Sequence, residues 1–338
     1  MNALCLPQLI LLAAANAVPK SRVKPAGGLP VPTTCSRRSI LALTAAAAAA
    51  PAFSLVIPRR AVAADDGTAA LAALQAEAAS AFAAQDFATA EACLSKLIAL
   101  DASPRRLEWL EGRAQVRVDA KRFKEALEDF DAALSAELDD DASGTGARLH
   151  AGRALAHEGL YQWEQALVDY NVALEAASKG GFKPDPYVLN SRGNVYASLA
   201  RWDEARQDYL ASAAIFQSSQ GYRRGASTTS RLDGAIYAAS NAALMRAQLG
   251  DDAGAEADLA AVARRAPNSA DARAARAALL WALGKNGDAE SAWESACARA
   301  EGCRAYRDLD YVGRIRRWPP RMVEHLRAFL ELRAESKL

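Results

Sequence analysis

The sequence predicts an all-α fold: a solenoid of about six helix pairs closed by a C-terminal capping helix. Three observations carry this. From residue 71 onward, small and bulky apolar residues recur at helical spacing in units of about 34 residues. The composition is 51% hydrophobic but only 7% aromatic, and it is rich in alanine, which suits close helix–helix contact better than a large sheet-based core. Turn-forming stretches at 141–146 and 181–185 fall between units, not within them. A length of 338 residues fits two ordinary domains or one such solenoid.

The clearest unit contains LNSRGNVYASLARWDEARQDYLAS, residues 189–212. Gly193, Ala205 and Ser212 stand where two helices have to touch, and Leu189, Tyr196, Trp202 and Tyr209 supply bulk between them. The pattern resembles the tetratricopeptide repeat (TPR), a helix–turn–helix unit of about 34 residues. That resemblance implies a right-handed superhelix in which the first helix of each pair lines the concave face.

The units follow in order. Unit one, 71–104, carries Phe82, Phe87, Ala90, Leu94 and Leu97, and its alanine-rich first helix suits an N-terminal cap. Unit two, 107–140, has Phe123, Ala126, Phe130 and Ala133 on its second helix. Unit three, 147–180, has Trp163, Ala166, Tyr170 and Ala173 in the same places. Unit four is 186–219. Unit five, 236–269, ends with Pro267 at a helix-stopping position. Unit six, 270–303, carries Trp281, Ala289, Trp293 and Ala296. The spacer at 220–235 contains Arg223, Arg224 and Arg231; it is expected to lengthen the flanking helices and expose a basic ridge, or to be a solvated loop.

Residues 1–63 read as a multipartite targeting presequence, followed by a short linker at 64–70. An apolar run ends at Ala15-Asn16-Ala17, like a secretory signal, and a basic, acid-free stretch follows, like a plastid transit segment. The third signal joins Arg37-Arg38, an apolar core and Ala61-Val62-Ala63, and it resembles a twin-arginine signal for the thylakoid lumen. Cleavage after Ala63 is expected, a membrane anchor over 39–58 being the alternative. The presequence holds seven basic residues and no acid. Without them, 34 of the 41 basic residues face 40 acidic ones, a net charge of −6. An acidic body with no basic tract excludes a nucleic-acid partner.

After Cys303 the period stops. Pro319-Pro320 precede a helix whose Met322, Val323, Leu326, Phe329 and Leu330 form one stripe, so 304–338 reads as a capping segment over the open end of the solenoid. The lumen-type presequence, the repeats and the tail YRDLDYVGRIRRWPP…LRAFLELR together resemble the chloroplast lumen common family of TPR proteins, best over 236–333. The resemblance implies a soluble lumenal repeat protein and supplies no catalytic residues.

No catalytic motif, metal set or cofactor site stands out, so no enzyme and no cofactor are expected. His150, His157 and His325 lack acids or thiols at metal-ligand spacing and read as core or surface side chains. Cys93 reads as a small core residue. Cys297 and Cys303 can be bridged if the helix breaks between them; otherwise they are two thiols.

The concave face predicts the candidate site. Glu111, Arg148, Tyr187, Asn190, Ser191, Asn194, Tyr237, Ser240 and Asn241 occupy its lining positions. Asparagine both donates and accepts, so it can pair with the backbone of an extended peptide, and tyrosine adds apolar area with a polar handle. The expected role is a lumenal scaffold for a protein or peptide partner, peripheral to thylakoid membrane complexes and assisting assembly or maintenance of photosynthetic complexes. An accessory repeat domain of an enzyme or transport complex is the alternative.

Overall fold

The computed structural model describes residues 66–101, 103, 105–136, 144–218, 228–298 and 303–335. The targeting residues Arg37, Arg38, Ala61 and Ala63, and the spacer's Arg223 and Arg224, lie outside the described residues. Thirteen α-helices and no strand occur among those described. They are α1 (Asp66–Ala83), α2 (Phe87–Leu100), α3 (Arg106–Asp119), α4 (Phe123–Ala136), α5 (Thr145–Gly159), α6 (Trp163–Lys179), α7 (Pro186–Ser198), α8 (Trp202–Gln217), α9 (Thr228–Gln248), α10 (Asp252–Arg265), α11 (Ala270–Ala282), α12 (Asn286–Cys297) and α13 (Pro320–Glu335). None of them is long and apolar enough to cross a membrane.

The local sequence explains where helices start. Asp86, Asp185, Asp251 and Ser269 each accept a backbone N–H of the first turn with their side chains. Pro186 sits at the first position of α7, where its missing N–H costs nothing. Within each predicted unit a short turn joins the two helices. The fifteenth residue of all six units, namely Gln85, Lys121, Tyr161, Ala200, Gly250 and Gly284, has a positive φ between 57° and 96°. Two boundaries differ from the sequence expectation. Helix α1 begins inside the predicted linker, and α9 begins at Thr228, eight residues before predicted unit five, so part of the spacer does extend a flanking helix.

Each helix of α1–α12 packs against the next, and the core runs along the stack in two clusters that meet at α7 and α8. Small residues set the spacing as expected. A Cβ on Gly193 would come within 2.8 Å of the Tyr209 ring, and the buried Ser212 hydroxyl donates to the Pro186 carbonyl at 2.7 Å.

A ladder of arginines ties the stack together. Arg113, Arg153 and Arg192 occupy the seventh position of predicted units two, three and four. Each grips the aspartate sixteen residues later with two parallel N–H donors: Asp129 at 2.9 and 2.6 Å, Asp169 at 2.9 and 2.7 Å, and Asp208 at 2.7 and 2.7 Å. The remaining Nη1 reaches back to the preceding unit, to Ser95, Asp131 and Asn171 respectively. One side chain thereby fixes the angle within a pair and the contact between pairs.

The tail folds back onto the stack. Helix α13 packs on α11 and α9, both first helices of their pairs, and buries Met322, Leu326 and Phe329. The Phe329 ring lies 5.8 Å from Trp281 and 5.5 Å from Trp293. A 3₁₀ turn at Ala305–Arg307 and a π-type turn at Tyr311–Ile315 lead into it. Helix α12 stops at Cys297, which brings it within 4.6 Å (Cα–Cα) of Cys303, and the two are joined by a disulfide.

Candidate partner-binding groove

The first helices α3, α5, α7 and α9 form a row, each contacting the next. Their second, fifth and neighbouring unit positions carry the residues singled out from the sequence. At the N-terminal end, Arg148 of α5 forks onto Glu111 of α3 at 3.0 and 3.2 Å and also reaches Thr145, so these two predicted residues come together. Along α3, Gln115 donates to Asp119, whose carboxyl burial pushes up to about 6 against the opposing pull of Gln115 and Lys121.

In the middle of the row the predicted residues divide. Tyr187 packs its ring edge-on against Phe216 at 4.9 Å. Ser191 is buried against Tyr170, so it belongs to the repeat core and not to an open face. The Asn194 carbonyl accepts the Tyr209 hydroxyl at 2.8 Å, which commits part of that amide to its own pair. Asn190 and Ser240 hold the fifth position of consecutive units. Asn190 is half-buried, whereas Ser240, at 2% exposure, belongs to the core as Ser191 does; neither Asn190 Oδ1 nor Ser240 Oγ has a hydrogen-bond partner among the described residues. Asn241 is half-buried beside Ser240 on α9.

At the C-terminal end the row is occupied by the tail. Asp271, in the second position of predicted unit six, is fully enclosed. Arg316 reaches it at 3.0 and 2.8 Å, the Tyr306 hydroxyl at 3.0 Å and the Trp318 indole N–H at 3.1 Å. Burial alone would raise this carboxyl; the Arg316 charge and the three donors outweigh it and hold it below the usual carboxylate range. The Arg316 guanidinium also lies 5.6 Å from the centre of the Tyr237 ring, so that predicted residue is covered by the protein's own chain. Arg317 continues across to Glu158 of α5, at 3.1 Å, over the Trp163 ring.

The histidines also gain a partner that sequence spacing did not reveal. His150 Nδ1 lies 3.0 Å from Asp169 and His157 Nε2 3.7 Å from the same carboxylate, which Arg153 also grips. Burial raises the Asp169 carboxyl, but His150 and Arg153 together hold it below its ordinary value. Among the described residues no group of three or more His, Cys, Asp or Glu side chains is arranged to hold a metal. The arginine ladder had a signal in the sequence: the Arg-to-Asp spacing of sixteen recurs in three consecutive units. The return of Arg317 to Glu158 had none, since 159 residues separate the two.

No family profile matches the chain. Among solved structures, a tetratricopeptide repeat protein from Parabacteroides merdae superposes with a TM-score of 0.52 at 19% identity, covering 78% of this chain and 93% of its own. The apo form of the quorum sensor NprR from B. thuringiensis gives a TM-score of 0.52 at 16% identity, covering 81% of this chain and 72% of its own. At these identities the likeness is one of fold: the chain shares the all-helical repeat architecture of these structures.

Proposed function

We propose that the chain is a protein-interaction scaffold of the thylakoid lumen. In this reading six TPR units wind into a right-handed superhelix, and the row of first helices holds an extended segment of a protein partner. The observation that carries it is Asn190, half-buried in the middle of the row, whose Oδ1 has no hydrogen-bond partner among the described residues. A buried polar atom left without a hydrogen bond costs about 1–3 kcal/mol, and an amide that turns to meet a peptide backbone recovers that cost. Asn241, half-buried on α9, extends that polar face. The twin arginine Arg37-Arg38 and the Ala61-Val62-Ala63 site support the location, and assistance to photosynthetic complexes follows from location alone. The proposal assigns the chain no catalytic chemistry and no cofactor.

Import into isolated thylakoids, followed by capture of the imported chain, tests both parts. The wild type is expected to become protease-protected with a defined partner, and the Arg37→Lys, Arg38→Lys variant to stay outside. The Asn190→Ala, Asn241→Ala variant should import and fold but lose capture by about 1–2 kcal/mol for one or two hydrogen bonds. Undiminished capture by that variant would move the site away from these helices; import of the lysine variant would remove the lumenal assignment.

A further inference from the structure

We infer that Glu158, Tyr170 and Trp163 form a binding seat for an arginine side chain of the partner's extended segment, and that Arg317 of the protein's own tail fills this seat until displaced. This rests on the groove reading above and names the chemistry the groove selects. The repeat core holds the carboxylate of the seat. Glu158 is buried to 9% exposure, and the Tyr170 hydroxyl donates to its Oε1 at 2.6 Å, fixing the carboxylate. Tyr170 itself is buried at 1% and its hydroxyl is pushed well above its ordinary pKa, first by that burial and then by the Glu158 charge, so it stays a donor. The Trp163 ring supplies the flat face that a guanidinium stacks on, with the Arg317 carbon 5.5 Å from the ring centre. Glu158 stands near the C-terminal end of α5, a first helix of the row, and Trp163 opens α6.

The occupant is held less well than the seat is made. Arg317 reaches Glu158 with one hydrogen bond, Nη1 to Oε2 at 3.1 Å, while the neighbouring Arg316 grips its own aspartate with two donors. The Arg317 side chain keeps 30% of its surface in solvent, against 13% for Arg316. Its backbone is in the left-handed region, φ 54°, a conformation that costs a side-chain-bearing residue energy. Arg316, Trp318 and the buried stripe of α13 anchor the tail on either side of it, so the exchange is local. An incoming arginine on an extended backbone meets neither the strain nor the single-donor geometry, and its fork can bond both oxygens of a carboxylate.

The test uses the full chain and a fluorescent acetyl-Ala-Ala-Arg-Ala-Ala-amide peptide, with its lysine twin as control, read by anisotropy. Arg317→Ala should bind the arginine peptide at least tenfold more tightly than wild type. Arg317→Gly, which retains the backbone conformation without strain, should show the same gain with a melting point no lower than that of the wild type. Adding Glu158→Gln to either should abolish the gain, and the lysine peptide should bind less well throughout. No gain in either arginine variant, or a gain that survives Glu158→Gln, overturns the inference. If that occurs while Asn190→Ala, Asn241→Ala still loses partner capture, the seat falls and the groove reading stands; if capture is also unaffected, both fall.

Discussion

Ala200 shows what a repeat asks of one residue. It is exposed at the fifteenth position of its unit, and its φ of 57° is left-handed. Units five and six place glycine there, which adopts that conformation without a Cβ penalty. For an alanine the left-handed region costs roughly 1–2 kcal/mol, and glycine's greater unfolded-state freedom returns part of that. Ala200→Gly is therefore expected to stabilise by about 0.5–1 kcal/mol, seen as a higher urea midpoint with an unchanged slope. A lower midpoint would mean that alanine is not strained in this turn. At this scale small residues were legible, because Gly193 and Ser212 sit where helices meet whatever follows. Asn194 was not: its register on α7 marks it as groove-facing, but its rotamer serves the Tyr209 hydroxyl.

At the scale of the element, the ladder explains why polar residues stand in the middle of otherwise apolar units. Arg192 and Asp208 have 20% and 8% of their side-chain surface exposed. Removing one member of a largely buried pair strands the other, which costs about 3–5 kcal/mol when burial is complete and less here. Asp208→Ala should thus destabilise by about 2–3 kcal/mol in chemical denaturation. The double variant Arg192→Leu, Asp208→Ala should recover most of that, since a pair replaced by apolar side chains loses its desolvation cost as well as its attraction. A double variant no better than the single would show that the link from Arg192 to Asn171, and not the pair, holds the units. The helices themselves were legible from period and turn residues. The ladder was written in the spacing too, but one arginine serving two units is visible only when the units are stacked.

Across the whole molecule, the first-helix row is not uniform. The Arg148–Glu111 fork closes its N-terminal end, the tail covers Tyr237 and Asp271 at its C-terminal end, and the half-buried Asn190 lies between, its Oδ1 unmatched among the described residues. In a stack where each unit touches mainly its neighbours, such a division confines the proposed binding to a defined stretch instead of the full length. The amphipathic stripe of α13 was legible, but its destination was not, because a stripe states that a face is buried without saying against which helices. The central claim is that a partner lies along α7 and α9. Site-specific photocrosslinking tests it most directly, with p-benzoylphenylalanine in place of Asn241 on α9 or of Val168, which is 62% exposed on the second helix α6. The account predicts a discrete crosslinked adduct from position 241 and none from position 168. An adduct from position 168 with none from position 241 would contradict it.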